Sequence, residues 1–194
     1  MPEASDANRM IARRLATTFG GSASVTRYWD DRRDNCIDIL VVKDRPQRGV
    51  SSYGTIGLSD AHAEDDGTDR HTGMEMLGVC SQDSQNFGNI LASAAFCVIN
   101  SHWECRRGTI FPDLIATYHP LLAMRHLFFV SAHLWEGQLS KLGVENKTVD
   151  WLLAIPISDG ERAYAEMHGA AELERWFDGH NADTFNLGRP SSIA

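Results

Sequence analysis

The sequence predicts an α+β fold, mainly an antiparallel sheet packed with helices, in a single domain that spans residues 1–194. Apolar residues recur every three or four positions in some segments, as in helices, and every second position in others, as in strands. Most of the predicted strands are joined by short connections, which favour antiparallel pairing. No repeat, linker or low-complexity tract divides the chain, and 194 residues suffice for one buried core.

The first quarter of the chain predicts one helix followed by three strands. Ile11, Leu15 and Phe19 recur at four-residue spacing, and Gly20-Gly21 ends the helix. β-Branched and apolar residues then form three short runs separated by polar turns: 24–29, 36–42 and 50–56. An antiparallel meander is the simplest arrangement of these strands.

The middle of the chain contains a weaker strand candidate, 74–80, and the clearest helix. We expect Asp83 or Ser84 to cap this helix and Arg106-Arg107-Gly108 to end it. Its apolar stripe consists of Phe87, Ile90, Leu91, Ala94, Val98 and Ile99. Burial of that stripe on a sheet contributes several kcal/mol, at about 25 cal/mol per Å² of apolar area.

The last part of the chain predicts two further strands and a capped helix. Residues 111–120 give no clear prediction, because prolines bracket them. The strands are predicted over 125–130 and 147–157. Ser158 and Glu161 then have the spacing of a capping box, so a helix follows, and its apolar face continues past Gly169 until Gly179.

The charge and cysteine content narrow the class of protein. Eighteen basic and twenty-six acidic residues give a formal net charge of −8. This charge disfavours direct binding to nucleic acid or to anionic lipid and favours a basic protein partner, although solubility alone would also account for it.

The start of the chain lacks the pattern of a secretory signal, and no apolar run is long enough to span a membrane. The four cysteines have irregular spacing, typical of free thiols in the cytoplasm.

An acidic segment provides the candidate contacts with a partner. Glu64, Asp65, Asp66 and Asp69 are clustered in a predicted loop. An EF-hand alignment on Gly67 would place His62 and Gly73 at ligand positions that need carboxylates, so that calcium motif fails. The alternative is a solvated acidic loop without a ligand.

Metal-dependent or thiol-dependent hydrolysis is an alternative to protein binding. His102 and Cys105 are one helical turn apart, and His119, His126 and His133 recur every seven residues. Zinc needs four ligands, however, and no second Cys or His pair completes the set. Local signatures of hydrolases and phosphate loops are absent. We therefore predict no catalytic residue, metal or cofactor, while a hydrolase built on these side chains remains open because such groups meet in space rather than in sequence.

Several segments of the chain resemble bacterial members of the suppressor of fused family. The segment 53–60, Tyr-Gly-Thr-Ile-Gly-Leu-Ser-Asp, is similar to a shared family motif, with glycine at position 54 where many relatives have serine. Further similar blocks follow in matching order at 126–135, 149–164, 173–177 and 185–191. The similarity therefore covers about 53–191, whereas the first fifty residues fit by position only.

The resemblance implies an α+β fold and a protein without established enzymatic activity. Short bacterial relatives look like immunity proteins, which neutralise toxins. The resemblance thus implies a protein-binding module, an immunity protein or antitoxin, whose acidic charge would steer it onto a basic toxin domain. A regulatory scaffold in an unrelated pathway is a further alternative.

Overall fold

The computed structural model describes residues 4–61, 71–82, 84, 86–145 and 147–193. The helices are α1 (Asp6–Phe19), α2 (Phe87–Ser101), α3 (Leu114–Tyr118), α4 (Asp159–His168) and α5 (Ala170–His180), with short 3-10 helices at Leu58–Asp60 and His133–Trp135. The strands are β1 (Ala23–Trp29), β2 (Cys36–Lys43), β3 (Val50–Ile56), β4 (His71–Ser81), β5 (Ile110–Phe111), β6 (Met124–Ser131), β7 (Leu142–Val144) and β8 (Lys147–Ser158).

Among the described residues, the strands form one mixed sheet in the order β1-β2-β3-β4-β8-β6-β5, and β7 also pairs with β8. The first four strands are an antiparallel meander, as the short connections predict. β4 and β8 pair in parallel at the centre, with His71 opposite Lys147 and Gly78 opposite Ala154. The fold is therefore α+β with a mostly antiparallel sheet.

Apolar residues cover both faces of the sheet and produce two cores. One core includes Leu15, Leu40 and Trp151 and lies under α1, α4 and α5. The other includes Ile39 and Phe129 and lies under α2 and α3. Because successive residues of a strand point to opposite faces, β8 supplies Trp151 and Leu153 to the first core and Ala154 to the second. The two faces are named below after α1 and α2.

The predicted signals at helix ends have mixed outcomes. The capping box at the start of α4 is confirmed, since Ser158 and Glu161 exchange both of its hydrogen bonds. The predicted ends of α2 are wrong. Its N-cap is Asn86, in the left-handed region and without a side-chain cap, and it ends at Ser101, with His102 in the left-handed region. A left-handed residue stops a helix whatever its side chain, so the Arg-Arg-Gly sequence farther on is not needed.

Candidate protein interface

The strand registers gather five connections at one end of the sheet. The last residue of β1, Trp29, lies opposite the first of β2, Cys36, and the last of β3, Ile56, lies opposite Asp38. β4 and β8 begin at this same end, and β6 finishes there. The described connecting residues at this end are therefore 30–35, 57–61, 102–109, 132–141 and 145, which belong to connections that join strands or lead from α2 to β5.

The described residues of these connections carry a surplus of negative charge. They include seven acidic and five basic residues. The described residues of the connections at the opposite end of the sheet, 20–22, 44–49, 82, 84, 86 and 112–123, include two acidic and two basic residues. The end with the surplus is called the acidic end. Its described acidic residues are Asp30, Asp31, Asp34, Asp60, Glu104, Glu136 and Glu145.

The four partner-contact candidates, Glu64, Asp65, Asp66 and Asp69, lie outside the described residues. Their role in binding a partner stays a prediction. The described residues on either side of that segment, Ala61 and His71, both belong to the acidic end.

A buried carboxylate fixes the chain just before this segment. Glu75 of β4 has no exposed surface and accepts five hydrogen bonds from residues 55–59. The donors are the Thr55 hydroxyl (2.6 Å), the Ser59 hydroxyl (2.8 Å) and the backbone N–H groups of Gly57, Leu58 and Ser59 (3.0 to 3.2 Å). Burial raises the pKa of Glu75, and the five donors counter part of that rise. The turn after β3 is thus folded around one side chain of β4.

The shape of this turn depends on Gly57, whose φ of 100° lies in the left-handed region. Gly54 has a different role. A Cβ atom on Gly54 would lie 2.8 Å from Leu15 Cδ1, so glycine there lets α1 pack closely on β3.

A buried lysine links the same turn to β8. Lys147 is 7 % exposed, and its ammonium group donates to the Ser59 hydroxyl at 2.9 Å and forms an ion pair with Asp60. Because Ser59 also donates to Glu75, the three elements β3, β4 and β8 are joined by one polar network. The acidic segment therefore starts from a fixed point on the sheet.

A cleft of about 590 Å³ opens beside β4 and β8 at the acidic end. Its floor includes Thr72, Met74 and Leu152, and residues 104–107 and 136–140 form its walls. The wall charges are largely compensated, because Arg106 pairs with Glu104 and Arg107 pairs with Glu174. This cleft is a mixed polar and apolar surface at the end of the sheet.

Cys105 and His102 lie in the connection after α2. Burial raises the pKa of the Cys105 thiol, which keeps it protonated and poorly nucleophilic at neutral pH. His102 is exposed. Among the residues that the structure describes, no hydrogen bond joins the two side chains.

The three histidines at seven-residue spacing lie on different elements. His119 follows α3, His126 is in β6 and His133 begins a 3-10 helix. His126 is buried, accepts from the Asp113 N–H at Nδ1 (2.9 Å) and contacts the Asp159 carboxylate through Nε2 (2.9 Å). Because the amide only donates, the ring proton is on Nε2, and His126 ties β6 to the start of α4.

Within the described ranges, no group of three or more His, Cys, Asp or Glu side chains is arranged to hold a metal ion. The helices that the structure describes include none with the length and apolar character to cross a membrane.

Sequence reasoning missed Glu75 and Lys147, the two residues that organise the acidic end. A signal for Glu75 is present, because one carboxylate stands in the apolar run Met74-Glu75-Met76, and buried charges need partners. The segment 53–60 supplies those partners, so the motif that carries the family resemblance is the shell around Glu75.

Comparison with known proteins agrees with this architecture. Residues 33–190 match the family model described as Suppressor of fused protein (SUFU). The chain is 39 % identical over 186 residues to a protein of Bacillus subtilis (strain 168) named Immunity protein YqcF, covering 96 % of this chain and 97 % of that protein.

Solved structures with low sequence identity share the fold. A suppressor of fused homolog from Neisseria gonorrhoeae FA 1090 superposes with a TM-score of 0.73 at 15 % identity, over 97 % of this chain and 98 % of that one. A chain of the Sufu-Fu complex gives a TM-score of 0.65 at 15 % identity, covering 95 % of this chain and 91 % of that one. Drosophila Suppressor of Fused gives 0.66 at 14 % identity, and here 93 % of this chain covers 50 % of that one.

The structure thus defines an α+β protein with helices on both faces of a mixed sheet and one acidic end. The chain belongs to the suppressor of fused family.

Proposed function

We propose that this protein is an immunity protein that binds and neutralises a cognate bacterial toxin without catalysing a reaction. The observation that carries the proposal is the 39 % identity to Immunity protein YqcF along nearly the full length of both chains. The Sufu-Fu complex supports protein binding as a mode of action in this family, because a chain with the same fold takes part in it.

The acidic end supports a basic toxin domain as the partner. Its described connecting residues include seven acidic and five basic ones, and the sequence between Ala61 and His71 adds four acidic residues and one basic residue. A concentrated negative potential accelerates encounter with a positive surface and orients it. Glu64, Asp65, Asp66 and Asp69 remain the proposed contacts, and the described residues on either side of their segment, Ala61 and His71, belong to the acidic end. The proposed site of action is the cytoplasm, where free cysteines stay reduced.

The chemistry of the hydrolase candidates supports a binding role over catalysis. Cys105 is protonated by its burial, and His126 is committed to hydrogen bonds that join β6 to α4. A thiol hydrolase needs a thiolate beside a free base.

The test is protection from a toxin. Each candidate toxin domain from the organism of origin is expressed with and without the chain, and growth and complex formation are measured. We expect the chain to restore growth against one toxin and to form a stoichiometric complex with it. Protection without a complex, together with turnover of a toxin product, would instead establish an enzyme.

A further inference from the structure

The outer edge of the sheet at β1 is open. β1 is the terminal strand and pairs only with β2 among the described residues. Asp30 N donates to Asn35 O at 3.1 Å, and this pair continues the register of the two strands. Hydrogen-bonded pairs alternate along an antiparallel ladder, so every second residue of β1 directs its N–H and C=O away from β2. Those residues are Ala23, Val25, Arg27 and Trp29.

This edge lacks the usual protection. Edge strands are commonly shielded by proline, by lysine or by short length. β1 is seven residues long and contains neither residue. Its one charged side chain, Arg27, is engaged by Asp38 of β2 at 2.7 Å. Val25 and Trp29 are 53 % and 45 % exposed on the α1 face. The edge therefore offers unpaired backbone groups beside two exposed apolar side chains.

A groove of about 880 Å³ lies on the other face of the same edge. It runs between the turn 30–35 and α2, and its aromatic lining consists of Tyr28, Phe96 and Tyr118, with Trp29 at its margin. Tyr118 is held by a hydrogen bond with Ser93 at 2.7 Å. Aromatic faces of this kind attract guanidinium and ammonium groups.

The charges around the groove favour a cation. Asp31 and Asp34 line it, and neither has an ion-pair partner among the described residues. The last turn of α2 also lines it, and the carboxyl end of a helix carries partial negative charge. Arg32 is the one basic residue in the described lining, and it offsets part of this potential.

Asp30 shapes the groove rather than remaining available to a ligand. Its carboxylate accepts from the N–H groups of Asp34 and Asn35 and from the side-chain amides of Asn35 and Asn100. These bonds connect the turn to the end of α2, so the two walls of the groove keep their spacing.

We propose that β1 accepts an extended segment of the toxin as an added strand with alternating basic and apolar residues. Side chains of an added strand alternate between the two faces of the sheet. Arginine or lysine at one set of positions would enter the groove between Tyr28, Asp31 and Asp34. Apolar residues at the other set would pack beside Val25 and Trp29. This assignment rests on the proposed function, because it specifies how the toxin engages the acidic end.

A seven-residue peptide that alternates valine and arginine is the probe, with a glutamate-for-arginine peptide for comparison. Binding to the full chain is measured by fluorescence anisotropy. Val25→Pro removes an N–H that points away from β2, so it leaves the β1–β2 ladder intact. We expect Val25→Pro to weaken binding of the arginine peptide at least about tenfold, whereas Val25→Ala keeps the backbone donor and weakens it less.

The double variant Asp31→Asn/Asp34→Asn tests the groove without altering the strand. We expect it also to lose affinity for the arginine peptide, while Glu166→Gln/Asp178→Asn, which removes two distant charges, retains it. Equal binding by Val25→Pro and Val25→Ala, or by the two double variants, overturns the inference. If Val25→Pro does not fold, the double variant Asp31→Asn/Asp34→Asn alone tests the inference.

The toxin assay separates this inference from the proposed function. If the unaltered chain protects against a toxin and both edge and groove variants protect equally, the docking site is wrong and the function stands. If the peptide results hold but the chain protects against no toxin, the docking site stands and the toxin as its partner is wrong.

Discussion

At the scale of single residues, Glu75 shows why the turn after β3 has a fixed shape. Its carboxylate has no water contact, so its stability depends on five donors supplied within residues 55–59. Three of these donors are backbone N–H groups, which would otherwise be unpaired in a buried turn. The carboxylate therefore accepts the hydrogen bonds that the turn needs to donate, and the turn supplies the donors that a buried charge needs.

Glu75→Gln is expected to lower the free energy of unfolding by about 2–3 kcal/mol, because an amide NH₂ would face donors instead of accepting from them. Urea denaturation measures the change. Glu104→Gln is the control, since Glu104 is more than half exposed and pairs with Arg106 on the surface. Equal free energies of unfolding for Glu75→Gln and Glu104→Gln would contradict the role assigned to the buried carboxylate.

A second buried carboxylate makes the free energy of unfolding depend on pH. Glu161 is fully buried, and burial alone would raise its pKa. The Arg189 guanidinium, 2.8 Å from Oε2, and donors from Ser192 and Ser158 outweigh burial and lower the pKa below that of an exposed glutamate. A lowered pKa in the folded state adds stability above the unfolded value, about 4.3, and this contribution is lost as the pH falls through the folded value.

Glu161→Gln is expected to cost about 3–5 kcal/mol at neutral pH, because it leaves Arg189 buried without its counter-ion. The difference from the unaltered chain should shrink as the pH falls below the unfolded value, about 4.3, and through the lowered pKa of Glu161 in the folded protein, where Glu161 of the unaltered chain becomes protonated. Unfolding free energies at several pH values test this. Glu166→Gln on the same helix is the control, since Glu166 is exposed and should show a small, nearly constant difference.

At the scale of elements, close packing of α2 on the sheet depends on one missing side chain. A Cβ atom on Gly78 of β4 would lie 2.4 Å from Phe87 Cε1, in the first turn of α2. Phe87 is buried and also contacts the Tyr53 ring, with centroids 5.0 Å apart. The ring therefore has little freedom to move away.

Gly78→Ala is expected to destabilise the protein by about 1–3 kcal/mol through overpacking against Phe87. Gly179→Ala is the matched control, because nothing lies within 4 Å of its Cβ position and alanine is the better helix former in α5. The thermal unfolding temperature should therefore fall for Gly78→Ala and rise for Gly179→Ala. A neutral or stabilising effect of Gly78→Ala would show that Phe87 repacks without cost.

Local signals predicted some elements well and could not predict others. The apolar spacing of α1, the first three strands and the capping box of α4 depend on neighbouring residues, so the sequence contains their full signal. The parallel pairing of β4 with β8 joins distant segments, and no local pattern encodes it. The end of α2 depends on His102 in a left-handed conformation, which non-glycine residues adopt uncommonly, so the local sequence gives no clear stop signal.

At the scale of the whole molecule, the topology determines where charge accumulates. The acidic residues of five connections are scattered in sequence from Asp30 to Glu145, and the strand registers bring their connections to one end of the sheet. Composition predicted an acidic protein and one acidic segment. It could not predict that the turn 30–35 and the connections near 104, 136 and 145 share an end of the sheet with the chain on either side of that segment, because this depends on strand order.

The acidic end is expected to act on the rate at which a toxin associates. Electrostatic steering acts mainly on the association rate and is screened by salt, with a Debye length of about 10 Å at 0.1 M ionic strength. Neutralising Glu64, Asp65, Asp66 and Asp69 should therefore slow association with the toxin by about tenfold or more at low salt and reduce the dependence of the rate on salt. Stopped-flow measurements at several salt concentrations provide both quantities.

The control for this prediction removes charge away from the acidic end. Asp44→Asn/Asp178→Asn/Asp183→Asn changes three exposed carboxylates toward the opposite end of the sheet, and we expect it to leave the association rate within about twofold of the unaltered chain because distant exposed charges are screened. An association rate that is insensitive to salt, and that survives reversal of the four charges, would show that the acidic end does not steer the toxin. Equal slowing by both sets of substitutions would assign the effect to net charge. If only the variant of Glu64, Asp65, Asp66 and Asp69 associates more slowly, the cause of steering is where the charges lie rather than how many there are.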